Sequence, residues 1–193
     1  SRQVIVNAGP DGMVCQNTAF PVTGASEQHS TSVLWVHDGT GVLADATTIT
    51  PSYIPGPGES GVITLTLTGD PISPCGAVND QMQITVHPLP VADAGPSGPS
   101  CQGNNYPVTG ASAQFYNSVA WTEDGPGSLV NANTLTPTYI PLPGETGTVT
   151  LTLTVHGTNT CSAEVAVSTR TLTINPLPEV NAGADATICA AST

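Results

Sequence analysis

Ile63-Thr64-Leu65-Thr66-Leu67-Thr68 alternates an apolar side chain with a threonine at every step, and Leu65-Thr66-Leu67-Thr68 returns 86 residues later as Leu151-Thr152-Leu153-Thr154. Period two marks a strand with one buried face, because successive side chains leave a β-strand on opposite sides. Its return marks a repeating unit. Working outward, Pro21-Val22-Thr23-Gly24-Ala25-Ser26 recurs as Pro107-Val108-Thr109-Gly110-Ala111-Ser112, Trp35 as Trp121 and Tyr53-Ile54-Pro55 as Tyr139-Ile140-Pro141. Cys15 and Cys75 recur as Cys101 and Cys161, again 86 residues on. Asn7-Ala8-Gly9 has two echoes, Asp93-Ala94-Gly95 and Asn181-Ala182-Gly183. Pro88-Leu89-Pro90 returns at Pro176-Leu177-Pro178, offset by 88, so the second copy gained two residues after Cys161.

The expected organisation is one repeat over 1–90, a second over 91–178, and the first strand of a truncated third over 179–193. Proline fixes φ and favours a stiff, extended path, so the two Pro-Leu-Pro segments read as linkers that hold successive repeats end to end. Within the first repeat, strands are expected near 3–8, 18–24, 31–37, 47–54, 61–69 and 77–87, separated by turn dipeptides such as Asp38-Gly39. The second repeat has their partners, and no stretch has helical period. Many short strands at this spacing predict an all-β chain of tandem immunoglobulin-like sandwiches.

Comparing the copies shows which face is the core. Val33 and Trp35 remain large and apolar as Val119 and Trp121, whereas Leu34 and Val36 become Ala120 and Thr122. The Trp35 and Trp121 side therefore faces inward, together with Ile63, Leu65, Leu67, Leu151 and Leu153, and the intervening threonines face water. In the last strand Met82 matches Arg170, which predicts a position at the rim.

Only 8% of the residues are charged, yet the net charge is −12, because the chain has two arginines, Arg2 and Arg170, and no lysine. Without a basic patch it cannot neutralise phosphates, so nucleic-acid binding and docking on an anionic membrane are both excluded. No apolar run is long enough for a spanning helix. The opening residues lack the basic, apolar and small pattern of an export signal, and a chain that starts and stops inside repeats reads as an excerpt of a longer array. Five cysteines and scarce charge fit an extracellular protein.

The cysteines admit two arrangements. Within-repeat bonds would join Cys15 to Cys75 and Cys101 to Cys161. In an immunoglobulin-like sandwich, however, the first turn and the loop between the last two strands lie at opposite ends. These are a strand length apart, on the order of 25–35 Å, whereas a disulfide needs about 4.4–6.8 Å between Cα atoms. The cross-repeat alternative, Cys15 to Cys161, joins the far end of one repeat to the near end of the next and leaves Cys75 and Cys101 for neighbours. Cys189 is the first cysteine of the third copy.

Asn181-Ala182-Gly183-Ala184-Asp185-Ala186-Thr187-Ile188-Cys189, the Trp-x-x-Asp-Gly turns, and the passage from Tyr-Ile-Pro to Thr-Leu-Thr-Leu-Thr carry a resemblance over essentially the whole chain. The segment from Cys161 through Gly183 carries it most clearly. They resemble the PKD-like and immunoglobulin-like repeats of very large Bacteroidetes surface proteins. The resemblance implies a stalk of a secreted adhesin, of the kind exported with gliding machinery and anchored through a separate C-terminal domain.

Catalytic constellations are not expected. The four histidines (His29, His37, His87, His156) form neither His-Glu-x-x-His nor a zinc spacing with cysteine, and His37 gives way to Glu123 in the second copy. Gly58-Glu59-Ser60-Gly61 lacks the spacing of a nucleophile elbow, and Thr146 replaces Ser60. Glu123-Asp124 has no second acid across a cleft and reads as a solvated turn. Without lysine, Lys–Asn isopeptide staples are impossible. No cofactor is expected; weak calcium candidates at the repeat junctions are Asp11, Asp93 and Asp185. The function expected is therefore structural: a bacterial cell-surface stalk, adhesin or filament without catalysis. Its partners would be neighbouring repeats of the same or like chains, and surface polysaccharide or a host or substratum surface. Two alternatives stand beside it: a polymerising subunit that donates residues 179–193 as a strand, and a carbohydrate-binding accessory module of a secreted enzyme.

Overall fold

The computed structural model describes residues 3–71 and 76–185. Strand dominates, and the described helical content is one 3-10 turn at Asn159–Cys161. The first repeat runs β1 (Ile5–Asn7), β2 (Gly12–Cys15), β3 (Phe20–Pro21), β4 (Ser26–Gln28), β5 (Ser32–His37), β6 (Val42–Ala44), β7 (Ser52–Ile54), β8 (Gly61–Asp70) and β9 (Val78–His87). The second follows the same plan: β10 (Val91–Asp93), β11 (Gly98–Cys101), β12 (Tyr106–Pro107), β13 (Ser112–Gln114), β14 (Tyr116–Glu123), β15 (Ser128–Val130), β16 (Thr138–Ile140), β17 (Gly147–Gly157) and β18 (Val165–Asn175).

Each repeat builds a four-stranded sheet, β2-β9-β8-β5 or β11-β18-β17-β14, and a three-stranded sheet, β3-β7-β6 or β12-β16-β15. A short pair, β1 with β4 or β10 with β13, completes the set. Two apolar clusters form, one confined to residues 4–86 and the other to residues 92–174. Trp35, Leu65 and Leu67 lie in the first, Trp121, Leu151 and Leu153 in the second, and all six are buried. Leu34 and Val36, on the opposite side of β5, are exposed.

The Asn/Asp-Ala-Gly motif is where the first strand changes sheets. β1 pairs antiparallel with β4, and after four residues β2 pairs parallel with β9. At the crossing Asn7 Oδ1 accepts from the Gly9 N–H at 2.7 Å, and the buried Ala8 donates its N–H to Asp80 Oδ2 at 2.8 Å. Gly9 has φ +89°, and a Cβ there would press on the Thr23 carbonyl. The second copy repeats this with Asp93 on Gly95 and Ser168 on Ala94. The parallel strands β2 and β11 were absent from the sequence expectation, because Gly98-Pro99-Ser100-Cys101 carries no apolar alternation. The strand expected over 47–54 contracts to β7, since a tight turn closed by Thr48 N–H on the Asp45 carbonyl precedes it.

The rim expected at Met82 and Arg170 is a correction: both are core residues, 1% and 3% exposed. Met82 lies opposite Leu65 and Arg170 opposite Leu151, on the inward side of the central pair of strands. An arginine is tolerated there because neutral oxygens meet it. Its guanidinium donates to the Ala94 and Thr109 carbonyls at 3.1 and 2.9 Å and to the Tyr106 hydroxyl. The Tyr106 ring also sits 5.4 Å from its central carbon. The first copy has Phe20 and Met82 at these two places, so the hydroxyl and the guanidinium occur together in the second copy and neither occurs in the first.

Candidate functional site at the repeat junction

The residues singled out as catalytic or metal candidates are held in local structural roles. Glu59 is buried: it accepts from the Tyr53 hydroxyl at 2.8 Å and from the Gly56 and Thr40 N–H groups at 2.8 and 2.6 Å. Burial alone would raise its carboxyl, but these donors outweigh burial and hold it below the ordinary carboxylate value. Tyr53 is pushed up to about 12, by burial first and then by its bond to Glu59. Tyr139 and Glu145 repeat the pair in the second copy, with Tyr139 also raised to about 12. Ser60 next door is exposed. The tyrosine hydroxyl in turn accepts from Gly41 or Gly127, which closes the Asp-Gly turn over it. Tyr-x5-Glu in both copies was the sequence signal for this clamp.

Asp38 and Asp124 accept from the Thr64 and Thr150 N–H groups at 2.7 and 2.6 Å, bonds that lower both carboxyls. His37 packs edge-on against Tyr53, with ring centroids 5.1 Å apart. Of the calcium candidates, Asp11 accepts from the Gln83 N–H at 2.7 Å, the task of Ser97 toward Thr171 in the second copy. Asp93 closes its own Asx turn, and Asp185 is exposed. Among the described residues, no group of three or more His, Cys, Asp or Glu could hold a metal ion.

What the structure does bring together is the junction. Cys15 ends β2 opposite His87, the last residue of β9, so it stands where the first repeat finishes. Cys161 closes the 3-10 turn between β17 and β18. The two are bonded to each other, with Cα atoms 5.0 Å apart across a sequence separation of 146. This is the cross-repeat arrangement. It excludes the within-repeat pairs Cys15–Cys75 and Cys101–Cys161, since each would need a sulfur already used. Cys75 and Cys189 lie outside the described residues, and Cys101 is a free, exposed thiol.

Polar contacts surround the bond. His87 Nδ1 is 2.8 Å from the Thr160 hydroxyl, and the Cys161 sulfur lies 3.4 Å from the His87 carbonyl. Gln16 fastens the linker from the first repeat: its N–H reaches the His87 carbonyl, its side-chain oxygen accepts from the Leu89 N–H, and its amide donates to the Glu59 carbonyl. Gln102 holds Leu177 in the same way in the second repeat. There, however, the equivalent residues are more exposed. Leu177 is 59% exposed where Leu89 is half-buried, and Cys101 is exposed where Cys15 is buried. Residues 179–185 belong to no strand, although Asn181 closes on Gly183 as Asn7 does on Gly9. The rest of the expected third-repeat strand, and with it most of the segment considered for donation, lies outside the described residues.

No protein-family model matches the sequence, and no curated protein does. Among solved structures, the chain is similar to the PKD domain from the KIAA 1837 protein at 25% identity. That match covers 48% of this chain and 92% of the domain, with a TM-score of 0.39. It is similar to an I-band fragment of titin at 16% identity, covering 90% of this chain and 66% of the fragment, with a TM-score of 0.48. The D00-D0 domain of intimin matches at 13% identity over 89% of this chain and 99% of that one, with a TM-score of 0.44. These neighbours include PKD and immunoglobulin-like domains, and this chain is all-β.

Proposed function

We propose that the chain is a segment of an extracellular stalk or adhesin at a bacterial cell surface. Sandwiches 1–90 and 91–178 stand end to end, and disulfides clamp the joints. The observation that carries this reading is the bond from Cys15 to Cys161. A covalent tie between the end of one repeat and the start of the next stiffens a joint, and it does nothing for a catalytic or soluble-carrier role. It forms and persists in an oxidising compartment, outside the cytosol. Each repeat adds roughly 35–45 Å of reach, from strand length plus linker, and the chain performs no chemistry of its own.

Small-angle scattering and electron microscopy of the oxidised chain test this. Monomeric rods of about 70–90 Å, becoming bent and variable when Cys15 and Cys161 are both replaced by serine, agree with a clamped stalk. A compact particle, or a rod whose shape ignores the loss of the bond, contradicts it. Filaments of the isolated chain would instead favour the polymerising alternative.

A further inference from the structure

The chain has eight aromatic residues. Six fall into three pairs that recur between the copies: Phe20 with Tyr106, Trp35 with Trp121, and Tyr53 with Tyr139. All of these belong to the two cores or pack against them. The remaining two, Phe115 and Tyr116, are adjacent, have no counterpart in the first copy, where His29 and Ser30 stand, and are 47% and 40% exposed. Phe115 takes φ +53°, as its counterpart His29 does at +63°, so this left-handed turn is a feature of both repeats. Directly after them β14 carries a bulge: Tyr116 pairs with Gly157 and Ser118 with His156, which leaves Asn117 as the extra residue. Core packing does not explain the exposed aromatic pair.

Tyr116 forms one wall of an open groove of about 700 Å³ between the start of β14 and the loop before β16. Asn117, Ser118, Asn133, Thr134 and His156 supply amide, hydroxyl and imidazole groups around it, and no carboxylate lines it. The far wall is fixed, because the Thr134 carbonyl accepts from the indole N–H of buried Trp121 at 3.0 Å. The first copy has the same groove with the same tie, from Trp35 to Thr48, but it is about 230 Å³ and lined by Glu27, serines and threonines. Between the copies the site has thus gained an aromatic platform, amides and width, and lost its acid.

We propose that this groove in the second repeat binds a neutral polysaccharide. A pyranose offers an apolar C–H face and a rim of hydroxyls. These match an exposed ring beside donors and acceptors held on a rigid wall. A cationic ligand would want the missing carboxylate, and an acidic glycan would meet a chain of net charge −12. The site stands whether or not the chain forms a stalk.

Native electrophoresis of the oxidised chain tests it, through gels containing hydroxyethyl cellulose, xyloglucan, galactomannan or soluble starch. Retardation is expected in at least one gel. Tyr116→Ser should weaken it by about tenfold, and Thr47→Ala in the first-repeat groove should leave it unchanged. Tyr116 is 40% exposed and belongs to neither core, so Tyr116→Ser should lose binding while its thermal unfolding midpoint holds. No retardation in any of the four gels overturns the proposal. So does retardation that survives Tyr116→Ser, or that Thr47→Ala abolishes.

Discussion

Pulling on the two ends of this chain should stretch very little of it while the junction bond is intact. Force entering near Gln3 runs along β1 and β2 to Cys15, crosses the disulfide to Cys161, and leaves along β18. The chain between the cysteines is bypassed. Their separation of 146 residues amounts to roughly 500 Å of extended contour at about 3.3–3.6 Å per residue. None of it can be released without breaking the sulfur–sulfur bond. Only the short outer segments can yield, which limits the oxidised protein to an extension below about 100 Å. In the reduced protein each repeat bears load by itself, because the two cores share no residue. Two steps of roughly 250 Å are then expected, the contour of one sandwich less its folded length. The same closure removes about 5 kcal/mol of unfolded-state entropy in the chain-entropy account. Optical-tweezer extension of single molecules with handles at the two ends, with and without reductant, measures all of this. Long steps in the oxidised molecule, or none in the reduced one, would refute the load path.

Three further outcomes follow from the cores. Tyr106→Phe and Arg170→Met should each destabilise the second repeat by about 1.5–3 kcal/mol, because each strands the other's hydrogen-bonding group. The double variant recreates the Phe20 and Met82 solution and should return to within about 1 kcal/mol of the parent in urea unfolding; simple additivity of the singles would disprove the coupling. Glu59 is held below its usual value of 4.5, so its contribution is present above that pH and is lost as pH falls through the lowered value. Tyr53 and Tyr139 rise from 10 to about 12, so theirs is present below pH 10 and is lost on the way to 12. The urea midpoint should therefore be flat between these limits and fall on both sides, and a midpoint constant to pH 12 would contradict the clamp. Gly39→Ala should cost about 1–3 kcal/mol by the same assay, since its Cβ would overlap the Tyr53 hydroxyl and the Glu59 carboxylate; an unchanged midpoint would mean that the turn is slack.

The fold was legible wherever side chains alternate and the copies agree. Leu65, Leu67 and Trp35 declared the buried face because their equivalents stay apolar while Leu34 and Val36 drift to Ala120 and Thr122. The parallel strands β2 and β11 were not legible, because their pairing is made by backbone and by Asp11 or Ser97, with no apolar period to mark it. Arg170 misled for a related reason. A charge at a core position reads as a rim residue unless its acceptors are visible, and two of them are backbone carbonyls brought from residues 61 and 76 positions away. The junction was half legible. Sandwich topology placed Cys15 and Cys161 at neighbouring ends, but it left the within-repeat bonds open, and nothing in the sequence tied Gln16 to Leu89 or His87 to Thr160.

Those two features of the chain, the clamp and the groove, bear on each other through position alone. Tyr116, Asn133 and His156 all lie between Cys15 and Cys161, inside the loop that the disulfide closes. Tension that would draw out β14 in a reduced molecule passes around it in an oxidised one, so the wall proposed to meet a glycan keeps its shape under load. β18 stays on the load path, but it is held to β17 by ten register pairs and to β11 by four. Even where it is stripped from both, β14 stays paired with β17, which lies inside the closed loop. A glycan contact in this groove should therefore outlast the same contact in Cys15→Ser/Cys161→Ser protein when both are pulled from a coated surface at equal force. Equal lifetimes would mean that the clamp stiffens the joint and leaves the groove unprotected.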